Sequence, residues 1–416
     1  MSPDEQLELL RRFAPTLNFD ALERWRPQLV DDYLRRSTIF DGKDHVLPGT
    51  PPAEAAMREH GGETKARLNP LEDGSGISAK ERRERALKRS ADLLAAFGSD
   101  QDLRGAGVAY GRVFPDSDEV LFLQYWFFYP DNPCVLPPGR HDGDWELVQV
   151  GIERGNDGYR PTQLTLAEHG KPVSKQVVST AELNVFVAVD SHACYFKAGA
   201  NPIIPLSDVC EPAGAPGTRP QVELLPLEPS KHDWAHWSGR WGVDRGPGTW
   251  LALQLRWNHT PWLLKWLNKV GAGESPPSPA HQGTSWRSPS AFAALGTGRQ
   301  NTTGALQRLA HFVGNLTWPE SDPRVSVTPI AAGQASAATS YAIEVGTAGH
   351  FLRRVSFVSV AFWEERPDGD RRALTMYSVR TGTTATVEVE HEGKLEWRAA
   401  GYNRLRQRGE PFSGPD

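Results

Sequence analysis

One stretch of sequence decides the fold of this chain: Arg140-His141-Asp142-Gly143-Asp144-Trp145-Glu146-Leu147-Val148-Gln149-Val150-Gly151-Ile152. Its second half, at 145–152, is an apolar run that predicts a β-strand. Alternation along a strand places Asp144 and Glu146 on one face and Trp145 on the other. Gly143 allows the preceding turn to bring His141 and Asp142 back toward them, because glycine tolerates backbone conformations that other residues avoid. The stretch therefore predicts a strand that carries a polar site at its end.

The ionisable groups of this stretch are suited to a hard cation. Three carboxylates and one imidazole lie between His141 and Glu146. Calcium and magnesium prefer oxygen ligands, whereas zinc more readily takes several His or Cys ligands. The sequence therefore indicates calcium or magnesium. The alternative is a solvated acidic turn ahead of a core strand, with Trp145 serving only for packing.

Short β-type runs surround this stretch and extend to the end of the chain. Runs at 107–113, 120–129, 161–167, 185–189 and 250–257 are separated by Pro, Gly and Asp turns, which predicts a central antiparallel β-sandwich over 106–260. Six further runs, with hairpin turns at 367–369 and 392–393, predict a small immunoglobulin-like or fibronectin-like sandwich over 324–405. These runs are at 325–330, 340–345, 353–363, 372–380, 384–390 and 394–400.

Helices are predicted only around these β-regions. In residues 1–105, Ser2 begins a helix with capping-box spacing, and further helices are predicted at 27–34 and 78–97. Residues 41–76 are interpreted as a surface loop. Residues 261–323 are interpreted as a connector with helices at 261–270 and 302–313 around a Gly/Ser/Pro-rich stretch. The predicted fold class is therefore mostly β with peripheral helices.

Two other predicted strands end in groups of the same chemistry. The aromatic run at 123–129 leads to Asp131 and Asn132, and the apolar run at 185–189 leads to Asp190, Ser191 and His192. Three strand ends that each present an acid or an imidazole predict one shared site.

These motifs resemble the family named after vacuolar protein sorting-associated protein 62. The resemblance rests on four motifs in order, Gln-Tyr-Trp-Phe-Phe-Tyr-Pro at 124–130, Gly-Asp-Trp-Glu at 143–146, Ser-His-Ala at 191–193 and Gly-Arg-Trp-Gly at 239–242. It covers roughly residues 7 to 245.

A more distant similarity is to the necrosis- and ethylene-inducing-protein-like cytolysins, whose signature is Gly-His-Arg-His-Asp-Trp-Glu. That resemblance implies a β-sandwich that binds a divalent cation and recognises a sphingolipid head group. Carried onto this chain, it implies a ligand set of Asp131, His141, Asp144, Glu146 and His192. The chain departs from the signature at Asp142 and Gly143 and begins without the cytolysins' secretion signal, so the similarity implies a shared metal site rather than toxin activity.

Charge and cysteine content exclude several classes of protein. Lys and Arg number 46 and Asp and Glu 51, a net charge of -5, which disfavours nucleic acid as a partner. The three cysteines have no paired spacing, the N-terminus lacks signal-peptide features, and no apolar segment reaches the length of a membrane span. We therefore predict a cytoplasmic protein without a transmembrane segment; the sequence predicts no oligomeric state.

Three functions remain open. The first is a cation-dependent binding module for a polar small molecule, a glycan or a lipid head group. Its ligand-binding residues would be Trp237, Arg240 and Trp241, although such tryptophans are more often packing residues. The second is a metal-assisted hydrolase with Glu146 or His192 as general base. The third is a non-catalytic protein-interaction scaffold.

Three neighbouring residues are assigned ordinary roles. Ser191 is not expected to be a nucleophile, because no nucleophile elbow surrounds it. Cys194 is interpreted as an inert core residue. Glu168 and His169 follow a predicted strand and could add a metal ligand or a base, but we interpret them as a polar turn.

Overall fold

The computed structural model describes residues 1–20, 23, 25–41, 47, 57, 66–70, 107–132, 140–203, 206–210, 222–228, 230–242, 244–246, 275–297, 325–330, 338–346, 355–365, 371–391 and 393–403. Within these ranges the chain is mostly β, with few helices at the periphery, as predicted. The α-helices are α1 Pro3–Arg12, α2 Val30–Arg35, α3 Thr284–Arg287 and α4 Pro289–Thr297. Short 3₁₀ turns lie at Thr180–Glu182, Asp233–His236 and Pro279–His281.

Fourteen strands precede residue 250 in the described ranges. They are β1 Thr16–Phe19, β2 Ser37–Phe40, β3 Arg67–Pro70, β4 Gly107–Pro115, β5 Val120–Asn132, β6 Arg140–Gly155, β7 Gly158–Glu168, β8 Lys171–Gln176, β9 Asn184–Val187, β10 Cys194–Tyr195, β11 Gly199–Ile203, β12 Leu206–Cys210, β13 Val222–Pro226 and β14 Asp244–Gly246.

A seven-stranded sheet forms the centre of the fold. Its order is β13-β4-β5-β6-β7-β8, with β14 paired to β6. The strands from β4 to β8 are antiparallel, whereas β13 runs parallel to β4. A second sheet, β1-β9-β10, shares its apolar core with β4 to β7, so the two sheets form the layers of a sandwich.

Both faces of the central sheet are covered. On one face, the Tyr125 hydroxyl donates to the Leu10 carbonyl of α1 at 2.8 Å. On the other face, the rings of Trp126 and Trp286 lie 6.0 Å apart, and the Ser174 hydroxyl donates to the Ala293 carbonyl of α4 at 2.8 Å. Because neither face is open, polar side chains on this sheet must find partners inside the protein.

A second sandwich follows, as predicted, with an apolar core of its own. Its strands are β15 Val325–Ile330, β16 Ala338–Val345, β17 Val355–Glu365, β18 Arg371–Arg380, β19 Thr383–Glu390 and β20 Lys394–Asn403. They form two antiparallel sheets of order β15-β16-β19 and β18-β17-β20. Ile343 and Val387 from the first sheet meet Val358 and Phe362 from the second.

Several predicted elements differ from the observed ones. The second helix begins at Val30 rather than at residue 27, because the Pro27 carbonyl accepts from Val108 N and Gln28 N donates to the Phe128 carbonyl, which holds the chain extended there. The prediction of a surface loop at 41–76 is wrong for 66–70, where β3 pairs with β2 and Leu68 is buried. The short strands β2, β8 and β10 to β14 were not predicted.

Other predictions fall outside the described residues. These are the helices at 78–97, 261–270 and 302–313 and the strand at 250–257.

Candidate functional site

The predicted site lies inside the sandwich, where β5 and β6 pair. Tyr129 is opposite Asp144 in this pairing, and Asp131 is opposite Asp142. Strand β6 begins at Arg140, so the acidic stretch is part of a strand rather than a turn ahead of one. Asp142 and Asp144 are both buried. The alternative of a solvated acidic turn is therefore wrong.

Alternation separates the packing residue from the polar ones, as predicted. The Trp145 ring packs against Phe128 and Trp241, with ring centroids 5.1 and 5.2 Å apart. Asp144 faces the opposite side of the sheet, where Tyr129 and His192 stack. One strand thus serves the aromatic core and the polar site at the same time.

Asp144 is the centre of the polar contacts. Its Oδ1 accepts from Trp145 N at 3.0 Å, and its Oδ2 accepts from Asn132 Nδ2 at 3.1 Å and lies 3.3 Å from His192 Nδ1. Burial alone would raise the pKa of Asp144, but the contact with His192 and the nearby His141 lower it below its ordinary value. Asp144 is therefore a carboxylate at neutral pH.

His192 is held rigidly between two carboxylates. Its ring stacks on Tyr129 with centroids 3.9 Å apart and an interplanar angle of 3°, and its Nε2 lies 3.7 Å from Glu23 Oε1. Burial would lower the pKa of His192, but Glu23 and Asp144 raise it to about 9. In the absence of a bound ion the ring is therefore an imidazolium.

The turn that presents His192 has an uncommon backbone. Asp190 and His192 both have positive φ, 67° and 57°, a conformation that costs non-glycine residues of the order of 1–3 kcal/mol and clusters at functional sites. His192 N donates to the Ala188 carbonyl at 3.1 Å, which closes the turn.

Glu146 differs from Asp144 in having no donor. Its side chain is 6% exposed, and within the described part of the chain no group donates a hydrogen bond to it. Burial, followed by the charges of Asp144 and Asp208, raises the pKa of Glu146 well above its usual range. Among the described residues no group compensates a charge on this carboxyl group, so without a bound cation its neutral form is favoured.

His141 has its tautomer set by the backbone. Its Nδ1 lies 2.9 Å from the Gly143 carbonyl oxygen, which can only accept, so Nδ1 carries the proton. Histidines that bind metals commonly donate their second N–H to a carbonyl in this way. Gly143 has φ of 62°, and a Cβ at this position would collide with the Trp241 carbonyl.

The five predicted ligands are brought to one region, but not into one coordination sphere. Asp144 and His192 are in contact, and His141 and Glu146 interact electrostatically with Asp144. Asp131 is buried and lies two residues after Tyr129 in β5. Among the described residues, no group of three or more His, Cys, Asp or Glu side chains is arranged to hold a metal ion.

The contact between Asp144 and His192 nevertheless fits a pair of metal ligands. Two ligand atoms about 2.3 Å from one ion and at a right angle to each other lie about 3.3 Å apart. The observed separation of Oδ2 and Nδ1 is 3.3 Å. This donor set of carboxylates and imidazole is therefore compatible with a divalent cation in charge and in spacing.

A second group of polar residues, which the sequence did not predict as part of the site, adjoins the first. Asp208 Oδ2 accepts from the hydroxyls of Ser191 and Tyr195, each at 2.8 Å, and lies 2.9 Å from His169 Nε2. Burial and the charge of Asp208 contribute to raising the pKa of Glu168 to about 7, while the neighbouring His169 opposes the shift. The predicted polar turn at 168–169 is thus a partly buried acid–imidazole pair.

Glu23 is the other residue that the sequence analysis missed. It lies 121 positions before Asp144 in the chain, and no motif surrounds it. No local pattern predicts its approach to His192, because the approach depends on how Glu23 and residues 25–28 pack across the sandwich.

Ser191 and Cys194 have structural contacts. The Ser191 hydroxyl donates to Asp208 rather than to a histidine. The Cys194 thiol points to the His192 carbonyl at 3.7 Å, and burial raises its pKa well above the ordinary value. Neither residue has the environment of an activated nucleophile.

The tryptophans predicted as a ligand platform belong to the core. Trp237 and Trp241 are buried, with ring centroids 6.3 Å apart. Arg240 is partly buried, and its Nη1 donates to the Ser275 carbonyl at 3.3 Å. We therefore assign both rings to packing, since a ligand stacks only on an exposed ring.

Comparison of the chain with protein-family models, with curated proteins and with solved structures finds no match. In the described part of the chain, no helix combines the length and the apolar character needed to cross a membrane.

Proposed function

We propose that this protein binds a divalent cation, calcium or magnesium, and through it a polar ligand such as a glycan or a lipid head group. The cation would be held by the Asp144 cluster, which comprises Asp131, His141, Asp144, Glu146 and His192. The bound cation would supply positive charge for the hydroxyl or phosphate oxygens of the ligand.

One observation carries this proposal: Glu146 is a buried carboxyl group beside Asp144 with no hydrogen-bond donor in the described residues. A buried charge is costly unless it is paired or coordinates a metal. A divalent cation would compensate both carboxylates at once.

The other members of the cluster have complementary roles in this proposal. Asp144 and Glu146 would bind the ion through oxygen, and His141 would use Nε2, since its Nδ1 donates to the Gly143 carbonyl. The Tyr129 ring fixes the plane of His192. The resemblance to the vacuolar protein sorting-associated protein 62 family and to the cytolysins adds support from sequence, and membership of that family is part of the proposal.

The test is calorimetric titration of chelator-treated protein with calcium, magnesium and manganese chlorides. Wild-type protein should bind one of these ions, and Asp144→Asn and Glu146→Gln should each weaken binding at least tenfold. Glu153→Gln is the matched control, because Glu153 is on the same strand but pairs with Arg160 at the surface, at 3.2 Å. A wild-type protein that binds none of the three ions contradicts the proposal.

A second candidate, metal-assisted hydrolysis, is favoured by the acid–imidazole pair at 168–169. A carboxyl group with a pKa of about 7 is matched to proton transfer at neutral pH. His192 is less suited to act as the base, because both ring nitrogens face carboxylates. Turnover of 4-nitrophenyl phosphate or 4-nitrophenyl glycosides that stops with chelator and with Glu168→Gln would support this candidate.

A cytoplasmic location is part of the proposal. The two cysteines within the described residues, Cys194 and Cys210, are buried free thiols, which is typical of proteins from reducing compartments. Fractionation of cells that express the full-length protein tests this point.

A further inference from the structure

Glu23 is fixed in place by the backbone around it. Its Oε1 accepts from Trp25 N and its Oε2 from Asp190 N, both at 2.7 Å, and its own N–H donates to the Asp20 carbonyl at 3.0 Å. The side chain is 1% exposed. One carboxylate therefore joins an N-terminal turn to the turn that carries His192.

Arg26 makes further contacts next to Glu23. Its Nη1 donates to the carbonyls of Glu23 and Trp25 at 3.1 and 3.3 Å, and its guanidinium lies 4.6 Å from the centre of the Phe19 ring. Arg26 is buried, and its charge interacts favourably with that of Glu23. The position of the Glu23 carboxylate is thus determined by a network that involves neither Asp144 nor its strand.

The Glu23 carboxylate faces the side of His192 that is turned away from Asp144. Glu23 Oε1 is 3.7 Å from Nε2, an ion-pair contact longer than a hydrogen bond, while Nδ1 faces Asp144 Oδ2 at 3.3 Å. His192 Nε2 is buried and has no hydrogen-bond partner closer than this. The His192 imidazole therefore lies between two carboxylates, one facing each ring nitrogen.

We propose that Glu23 is a positioning residue of the cation site: its negative charge, 3.7 Å from Nε2, favours the His192 tautomer with the proton on Nε2, so that Nδ1 is the nitrogen presented to the ion beside Asp144. This inference rests on the proposed cation binding. Histidine ligands of metals commonly donate their second ring N–H to a carboxylate, which fixes both tautomer and ring orientation, and loss of such a partner weakens metal binding roughly 10- to 100-fold.

A purely structural role for Glu23 leads to different expectations. A residue that only joins two turns would, when changed, lower the free energy of unfolding. It would leave the tautomer of His192 and the cation affinity of the folded protein unaltered. Measurements of the cation affinity and of the His192 tautomer therefore distinguish the two roles.

The first measurement is titration of the full-length, chelator-treated protein with magnesium and calcium chloride. Glu23→Gln should weaken binding 10- to 100-fold, and Glu23→Asp should recover part of the loss. Glu182→Gln is the matched control and should bind within twofold of wild type. Glu182 also accepts from a backbone N–H, that of Val178 at 3.3 Å, but it is partly exposed, and no histidine of the described residues contacts it.

The second measurement needs no variant: ¹⁵N NMR of the histidines in wild-type protein loaded with magnesium or calcium. The His192 proton should be on Nε2, and a proton on Nδ1 overturns the inference even if Glu23→Gln does not fold. If wild-type protein binds a cation and folded Glu23→Gln binds it with the same affinity, this inference is overturned and the proposed function is not. Absence of cation binding in wild type overturns the proposed function, and this inference with it.

Discussion

At the residue scale, the site is built from side chains held in uncommon backbone conformations. His169, Asp190 and His192 all have positive φ, and each lies in or beside the site. Left-handed backbone costs an L-residue about 1–2 kcal/mol. The packed surroundings of these residues must therefore offset that cost, as Tyr129 does by stacking on His192.

Gly143 should be the most sensitive glycine of the site. Gly143→Ala adds a Cβ that meets the Trp241 carbonyl in left-handed backbone, so we expect at least about 3 kcal/mol of destabilisation. Gly170→Ala is the matched control, because Gly170 also has positive φ but its Cβ would enter open space. It should cost about 1 kcal/mol. Urea unfolding measures both, and equal losses would contradict the prediction.

Glu168 should make stability depend on pH. Its pKa in the folded protein is about 7, above the ordinary value of 4.5, so the folded state binds more protons than the unfolded state between these values. The contribution of Glu168 to stability is thus fully present below pH about 4.5 and is lost as pH rises through about 7. Urea unfolding at several pH values should show wild type losing stability relative to Glu168→Gln across this window, whereas parallel profiles would argue against the shift.

At the element scale, β5 and β6 organise both the site and the core. On the face away from the site, Gln124 Nε2 donates to Gln149 Oε1 at 3.0 Å and to the Ser285 carbonyl at 2.6 Å, while Gln149 Nε2 donates to the Pro289 carbonyl at 3.0 Å. This pair of amides attaches the segment that contains α3 and α4 to the sheet.

Gln124→Ala should therefore destabilise the protein by about 3 kcal/mol, because it leaves the Ser285 carbonyl and the Gln149 amide without their buried partner. The matched control is Gln163→Ala. Gln163 makes an exposed contact with Thr297 at 3.4 Å, and its loss should change the free energy of unfolding by less than about 0.5 kcal/mol. A Gln124→Ala protein as stable as the control would show that the segment is held by other contacts.

The prediction of strands from the sequence succeeded where apolar residues recur at a regular spacing. The strand predicted at 325–330 has the observed bounds, and the strands at 120–129 and 145–152 are the central parts of β5 and β6. It failed for β3 and β13, because their residues lack a clear alternation and are held by partners distant in sequence, Ser37–Phe40 and Gly107–Gly111.

At the scale of the whole molecule, each of the two sandwiches has a large apolar core of its own among the described residues. Among the residues that the structure describes, the core of strands β15 to β20 contains none before 325, and the core around β4 to β7 contains none after 292. Each core buries its own side chains, so damage to one should leave the packing of the other unchanged.

Phe362→Ala tests that independence. Phe362 is fully buried between two sheets, and its removal should cost about 3–5 kcal/mol of stability in the C-terminal sandwich. Calorimetry should show one unfolding transition moved to lower temperature, with cation affinity within twofold of wild type. A single transition that moves as a whole, or a loss of affinity, would indicate that the two cores are coupled.

The sequence by itself determined the mostly-β class, the second sandwich and the face of β6 on which Asp144 and Glu146 lie, because these follow from the period-two alternation of neighbouring residues. Only the tertiary structure decided that Glu23 faces His192, that Asp208 holds His169, and that Trp237 and Trp241 are buried. These contacts join residues far apart in the chain. They depend on which elements cover each face of the central sheet, and local sequence patterns carry no information about that.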